Sequence, residues 1–458
     1  MAKLTCPIWQ HAQQHPTQPA LWNAGVTLNY QQLDARLNAL QQQLRHAGLK
    51  SGDHLFLCST NSVELVMLLW ACWREQIVCC PINPAFPETR QQQLQQQVHA
   101  SLRWPSDALK LDFTAQTPVS TACELNDSAL SNLIFTSGSS GSPKVVAHRL
   151  RNHFANAQGS IVPITTDDGW LLSLPLFHVG GLAILFRCFL AGACVVLPDP
   201  ALPLTALLQQ VPITHLSLVP TQLYRLLQQP DFHFSATQVR HLLLGGAPIP
   251  DSLITQCRAQ QLTPWVSYGL SEMASQVCTA PAGAAGVVGK ALARREVTIQ
   301  ADEICVRGDT LFAGYYQADG SLLLPLDDEG WFHTGDAGYW LNDELVINGR
   351  IDNQFISGGE NIQPEQIEQQ LLQHPAIAQA VVVPAPDEEW GMCCVGFIDW
   401  QQAPVAIAGL SAWLRQFLPA FMLPKRYLPW PTLSAGQLKL PRAEFKRLAE
   451  TKNPATQA

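Results

Sequence analysis

An α/β protein of two unequal domains, a large layered N-terminal unit and a small α+β C-terminal unit, is what the sequence predicts. Three observations carry this. Strand-like and helical stretches alternate through the first two-thirds, 458 residues exceed the comfortable size of one core, and the composition changes near Asn348. With 47% hydrophobic and 14% charged residues, the chain can bury a sizeable core and lacks the character of a disordered one.

From Tyr30 to Ala47 apolar residues recur at helical spacing among glutamines, and Gly48 supplies a stop. His54 to Cys58 reads as a strand, Ser62 to Trp73 as a helix, and Ile77 to Ile82 as a strand before the turn at Pro84 and Pro87. The glutamine-rich run Gln91 to Gln97 keeps Leu94 and Val98 four residues apart, which predicts a helix. Leu174 to Phe177 reads as a strand ending in a loop, and further strands are expected at Cys194–Leu197, Leu216–Val219, His241–Leu244 and Thr298–Val306. Beyond Asn348, Pro364 to Gln373 resembles a helix start, Ala380 to Val383 a strand and Leu410 to Leu418 a helix, with a frayed tail after Ala449. The expected division is 1–349, a hinge at 350–352, and 353–458.

A formal charge of −8 and the lack of a long Lys/Arg run argue against a nucleic-acid binder. Thirteen cysteines, an odd number in a long chain, with Cys79-Cys80 and Cys393-Cys394 lacking metal-site spacing, read as reduced thiols of a cytoplasmic protein. Met1 to Gln10 has no secretory pattern. The most apolar stretch, Leu182 to Leu197, is interrupted by Arg187 and Gly192 and is too short to span a membrane. The oligomeric state stays open, a homo-oligomer included.

The strongest local signal is Thr136-Ser137-Gly138-Ser139-Ser140-Gly141-Ser142-Pro143-Lys144, preceded by the strand-like Leu133-Ile134-Phe135. Glycines let backbone N–H groups approach anionic oxygens, while hydroxyls and a lysine add donors and charge. The spacing departs from the common nucleoside-triphosphatase loop: two residues separate Gly138 from Gly141, and Pro143 precedes Lys144. This string resembles the signature of the adenylate-forming superfamily, which contains acyl-CoA synthetases, luciferases and the adenylation domains of peptide synthetases.

Five further blocks, in order across nearly the whole chain, continue the resemblance. In Leu174-Pro175-Leu176-Phe177-His178-Val179-Gly180-Gly181, it implies that His178 borders the acyl pocket and gates the reacting carboxylate. In Leu244-Gly245-Gly246-Ala247-Pro248, absent side chains would let a flat ligand lie along Gly245, Gly246 and Ala247. In Tyr268-Gly269-Leu270-Ser271-Glu272, Tyr268 and Gly269 would lie against adenine, the Ser271 hydroxyl would reach phosphate, and Glu272 would hold Mg2+; the family more often carries Thr where Ser271 stands. Asp336, in Thr334-Gly335-Asp336, would accept both ribose hydroxyls, and Arg350 would reach ribose or phosphate, with Asp352 as the hinge.

The last block, Gly436-Gln437-Leu438-Lys439-Leu440-Pro441-Arg442, is irregular, because relatives usually carry a Gly-Lys pair with Arg three residues after the lysine. Keeping the Lys-to-Arg spacing selects Lys439 as catalytic, and keeping the glycine selects Gln437; a cation at developing charge favours Lys439. The implied chemistry is attack of a carboxylate on the α-phosphorus of ATP with Mg2+ bound, followed by acyl transfer to a thiol. Rotation about Asp352 would withdraw Lys439 and turn Ser357, Gly358 and Gly359 towards the pantetheine arm of coenzyme A.

Arg187, inside the apolar segment Gly180 to Leu190, is costly to bury unless paired, so a surface-reaching or carboxylate-paired arginine competes with a clamp on a second substrate carboxylate or keto group. Ser217, Thr221, Gly246 and Ser267 are weaker candidates for lining that pocket. The whole pattern, length included, is most similar to the bacterial o-succinylbenzoate-CoA ligases of menaquinone biosynthesis. The expected partners are therefore a small carboxylic acid, ATP and coenzyme A. Alternatives are an aryl- or fatty-acyl-CoA synthetase, an adenylation enzyme loading a carrier protein, and a catalytically dead nucleotide-binding protein.

Overall fold

The computed structural model describes residues 3–118, 121–136, 144–357, 360–387, 389–401, 403–431 and 442–451. Two large sheets organise the N-terminal part. The first has eight strands in the order Ser275–Pro281, Trp265–Leu270, His241–Gly245, His215–Leu218, Gly169–Leu171, Cys194–Val196, Pro19–Asn23 and Val26–Asn29. Its six inner strands pair in parallel, and antiparallel strands close both edges. The second has seven strands and centres on Leu130–Thr136, with Val78–Ile82 and then His54–Cys58 on one side of it.

Parallel strands need both faces covered, which explains why their sequences run nearly continuously apolar rather than alternating. Three helices supply much of that cover: Tyr30–His46, Val63–Arg74 and Val179–Ala191. Asn29 and Ser62 cap the first two through backbone N–H groups of Gln32 and Leu65. One core cluster joins these helices to both sheets, with Leu55, Leu57, Cys79 and Ile134 from one sheet and Leu21, Trp170, Val195 and Leu243 from the other. Within it Trp73 stacks on Phe186 at 4.9 Å between ring centroids, and Trp70 meets Phe189 edge-on at 5.3 Å.

A four-stranded antiparallel sheet, Arg295–Gln300, Glu303–Gly308, Phe332–Leu341 and Glu344–Arg350, follows. The C-terminal part holds the hairpin Phe355–Ser357/Glu360–Ile362, the helix Pro364–Leu372, and a three-stranded sheet of Ile377–Asp387, Gly391–Trp400 and Arg426–Pro429. The α/β architecture with a small α+β unit after it is as expected.

Five expectations about elements need correction. Thr298–Val306 is two strands, turned at Ala301 and Asp302, both at positive φ (47° and 66°). The alternating pattern does not register a two-residue reversal that contains neither Gly nor Pro. Leu174–Phe177 is a turn, the strand being the earlier Gly169–Leu171. The strand at Ala380–Val383 extends over Ile377–Asp387, and the helix placed at Leu410–Leu418 is Ile407–Leu414. The tail expected after Ala449 is helical to Thr451, and residues beyond lie outside those described. No helix among the described residues is long and apolar enough to cross a membrane.

Candidate active site

In open α/β sheets, ligands bind beyond the carboxyl ends of the parallel strands. Most of the N-terminal candidate residues fall there. Thr136 ends Leu130–Thr136, Ser217 lies in the last half of His215–Leu218, Gly245 ends His241–Gly245, and Ser271 and Glu272 follow Trp265–Leu270. Gly246, at φ 82°, and exposed Ala247 carry the chain out of the sheet.

Thr136 and Lys144, which flank the glycine-rich stretch in sequence, are cross-strand partners, and the Thr136 hydroxyl donates to the Lys144 carbonyl at 3.3 Å. Ser137, Gly138, Ser139, Ser140 and Gly141 lie outside the described residues. The strand Gly314–Tyr316 pairs alongside and brings Tyr315 into this corner. The Lys144 ammonium stands 4.9 Å over the Tyr315 ring, and the Tyr315 hydroxyl donates to Glu272 Oε1 at 2.7 Å. Burial and the neighbouring Glu272 charge hold that phenol protonated, far above its ordinary range. The other oxygen of Glu272 has no protein partner among the described residues, and the Lys144 cation lies over the ring of the same Tyr315. That donor set fits Mg2+, which takes one or two carboxylates together with substrate phosphates.

Beneath this corner His148 is fully buried. One ring nitrogen lies 2.7 Å from the Ser271 carbonyl and the other 3.0 Å from Asn132 Nδ2, a pattern that the neutral imidazole satisfies as donor and acceptor. Burial pushes its pKa down to about 4. It ties the segment before Glu272 to the neighbouring sheet.

The second group is a chain of charged hydrogen bonds. Tyr268 donates its hydroxyl to Asp336 Oδ2 at 2.6 Å, Arg350 Nη1 donates to Asp336 Oδ1 at 3.0 Å, and Arg350 Nε and Nη2 reach the two oxygens of Asp352 at 3.1 and 3.2 Å. Asp336 lies in the strand Phe332–Leu341, opposite Arg350, with Gly335 at φ 72° beside it; a Cβ on Gly335 would meet Arg350 Nη2 at 3.0 Å. Burial raises the Asp336 pKa, and Tyr268 and Arg350 oppose that rise. Tyr268 is 9% exposed and packs in the core cluster of this sheet, and its hydroxyl orients Asp336.

The third group surrounds Arg187, which is 3% exposed. Its Nη2 donates to Asn156 Oδ1 at 3.1 Å and to Gln276 Oε1, and its guanidinium lies 5.5 Å from the centroid of the Trp170 ring. Trp170 Nε1 donates to Ser217 Oγ at 3.0 Å; Gln276 Nε2 donates to Ser267 Oγ at 3.2 Å and Thr279 Oγ1 at 2.7 Å. Arg187, Ser217 and Ser267 thus belong to one network, closed by residues the sequence reading missed. No carboxylate pairs with Arg187 among the described residues, and its Nε is buried without a partner. Burial lowers its pKa to about 10. Arg295, similarly lowered to about 9 by burial with Arg187 adding to it, rests on the carbonyls of Gln276, Asn156 and Ala293.

Thr221, half-buried in the helix Pro220–Leu227, is not joined to this network. His178 is the exposed N-cap of Val179–Ala191, nine residues from Arg187, or about 13 Å along the helix. Gly181 explains how tightly this helix sits: a Cβ there would lie 2.2 Å from the Pro175 carbonyl oxygen.

Ser357 is buried in its hairpin, whereas Gly358, Gly359 and Lys439 lie outside the described residues. Arg442, three residues beyond Lys439, is anchored by Glu368 at 2.8 Å and by the Val382 carbonyl.

The chain is similar to known proteins over nearly its whole length. The AMP-binding enzyme model matches residues 8–316, and the AMP-binding enzyme C-terminal domain model matches 366–435. The 2-succinylbenzoate–CoA ligase of Salmonella typhimurium is 36% identical over 454 residues, covering 96% of this chain and 97% of the relative. Among solved structures, a variant of E. coli MenE with bound OSB-AMS superposes with a TM-score of 0.87 at 32% identity, covering 99% of this chain and 100% of that one. The o-succinylbenzoate CoA synthetase of Bacillus subtilis in complex with the acyl-adenylate intermediate OSB-AMP superposes with a TM-score of 0.85 at 27% identity, covering 97% and 99%, and the same enzyme is also solved with ATP and magnesium ion.

Proposed function

We infer, for a chain that belongs to the AMP-binding enzyme family, that it is an ATP-dependent acid–thiol ligase joining 2-succinylbenzoate to coenzyme A. The substrate carboxylate attacks the α-phosphorus of ATP, the bond to pyrophosphate breaks, and an acyl adenylate results. A coenzyme A thiol then attacks the activated carbonyl, and AMP leaves. Mg2+, held by Glu272, would supply charge neutralisation at the phosphates when bound.

On this reading the candidate residues divide the work among them. Lys144, with Thr136 and the glycine-rich loop between them, neutralises the phosphates, while Tyr315 orients Glu272. Asp336, aimed by Tyr268 and Arg350, accepts the ribose hydroxyls. His178 gates the acyl channel, and Lys439 contributes a positive charge to the first transition state. Asp352, paired with Arg350 just before the hairpin containing Ser357, serves as the hinge between 1–349 and 353–458, so that Gly358 and Gly359 face coenzyme A in the second step. The thirteen free thiols suit a reducing, cytoplasmic setting.

The observation that carries the choice of acid is the Arg187 network. A buried cation whose hydrogen bonds go to amides rather than carboxylates has unspent charge, and a second carboxylate on the substrate supplies its counter-ion. The test is a coupled assay of AMP release with coenzyme A across succinylbenzoate, simple benzoates and fatty acids. Brisk turnover of fatty acids without turnover of 2-succinylbenzoate would refute the assignment.

A further inference from the structure

The four-stranded sheet carries a side-chain cluster that the ligase chemistry does not use. Cys305 and His333 are directly opposite each other on the paired strands Glu303–Gly308 and Phe332–Leu341, and Glu303 stands two residues before Cys305. Glu303 Oε2 lies 2.8 Å from His333 Nδ1, and Cys305 Sγ lies 3.5 Å from the same nitrogen. One ligand atom from each of the three residues falls within 4.8 Å of the other two. Tetrahedral zinc with ordinary bond lengths would hold sulfur and nitrogen ~3.6 Å apart, so the thiol and imidazole are already at ligand spacing.

The surrounding hydrogen bonds orient this set. Asp327 Oδ2 lies 3.2 Å from His333 Nε2, while Asp327 Oδ1 accepts from the N–H groups of Glu329 and Trp331 at 3.0 and 2.8 Å. A carboxylate behind the outer ring nitrogen leaves Nδ1 as the ligating atom, the arrangement by which histidine ligands are held on metals. Glu303 Oε1 accepts from the Gly335 N–H at 2.7 Å, which leaves Oε2 for an ion. We propose that Glu303, Cys305 and His333 form a binding site for a thiophilic divalent cation, Zn2+, with Asp327 orienting the histidine and water completing the fourth position. The ion takes the place of the proton shared by His333 and Glu303 and displaces the thiol proton of Cys305. A thiolate ligand separates this site from the Mg2+ site, whose donors are all hard oxygens.

The test uses the full chain, tag-free, reduced and stripped with chelator, titrated with Co2+ as a spectroscopic stand-in for Zn2+. The expected result is a thiolate-to-cobalt charge-transfer band that saturates at one equivalent, survives excess Mg2+ and disappears on adding Zn2+. Cys305→Ser should abolish the band, and Asp327→Asn, which keeps all three ligands, should weaken Co2+ binding by about tenfold or more. Absence of the band in the unaltered protein, an equal band in Cys305→Ser, or unchanged affinity in Asp327→Asn would each overturn the proposal.

Discussion

Arg187 shows how much one side chain's partners decide. Had it been paired with an aspartate, its charge would be neutralised; bonded to Asn156 and Gln276, it has no protein carboxylate among the described residues to neutralise it, which is the basis of the proposed clamp. Replacing it by alanine is expected to remove roughly 2–3 kcal/mol of acid binding, about 30- to 150-fold in kcat/KM for 2-succinylbenzoate, with KM for ATP unchanged. Steady-state kinetics with each substrate varied would decide this, and unchanged acid kinetics would refute the clamp. Tyr315 acts at the same scale on the other substrate. Tyr315→Phe keeps the ring under Lys144 but frees Glu272, so pyrophosphate exchange should slow roughly tenfold with little change in ATP affinity. An exchange rate equal to that of the unaltered enzyme would remove Tyr315 from the site.

The helix Val179–Ala191 carries three of the relevant features on one element. His178 caps it, Gly181 lets its first turn approach the Leu174–Pro175 backbone, and Phe186 and Phe189 lock it against Trp70 and Trp73 so that Arg187 is held in place. Its position is therefore set by backbone contact at one end and aromatic packing along its length. Gly181→Ala adds a methyl where a carbonyl oxygen already sits 2.2 Å away, so the helix must shift as a body. The expected outcome is a loss of thermal stability together with a raised KM for the acid, seen by melting curves and kinetics; a variant with native melting and kinetics would show that the turn can yield without moving the helix.

At the scale of the whole molecule, histidines buried in the two large N-terminal sheets tie stability to pH. His148 and His215 both have pKa values pushed down to about 4, chiefly by burial, against 6.5 when free. The unfolded chain binds these protons first, so the stability they permit is fully present above about pH 6.5 and is lost as pH falls towards 4. His148 alone accounts for on the order of 3 kcal/mol across that window. Melting temperature followed from pH 7.5 down to pH 4.5 should fall, and should fall less steeply in a His148→Gln variant. A flat profile would mean that these histidines are not neutral in the folded state.

What the sequence determined by itself was local: which stretches alternate or repeat at helical spacing, where the glycine-rich loop interrupts a strand, and which short blocks recur in an order that marks an adenylating enzyme. These are legible because a helix face, a cap or a turn is encoded within a few neighbouring residues. Only the tertiary structure decided which polar groups share a site. Gln276 and Tyr315 look like ordinary strand residues until pairing sets Gln276 against an arginine 89 positions away and Tyr315 against Glu272, 43 positions away. Cys305 and His333 acquire meaning in the same way, from a register 28 residues apart. A hydrogen bond depends on distance in space, and separation along the chain says almost nothing about that distance until the sheets have formed.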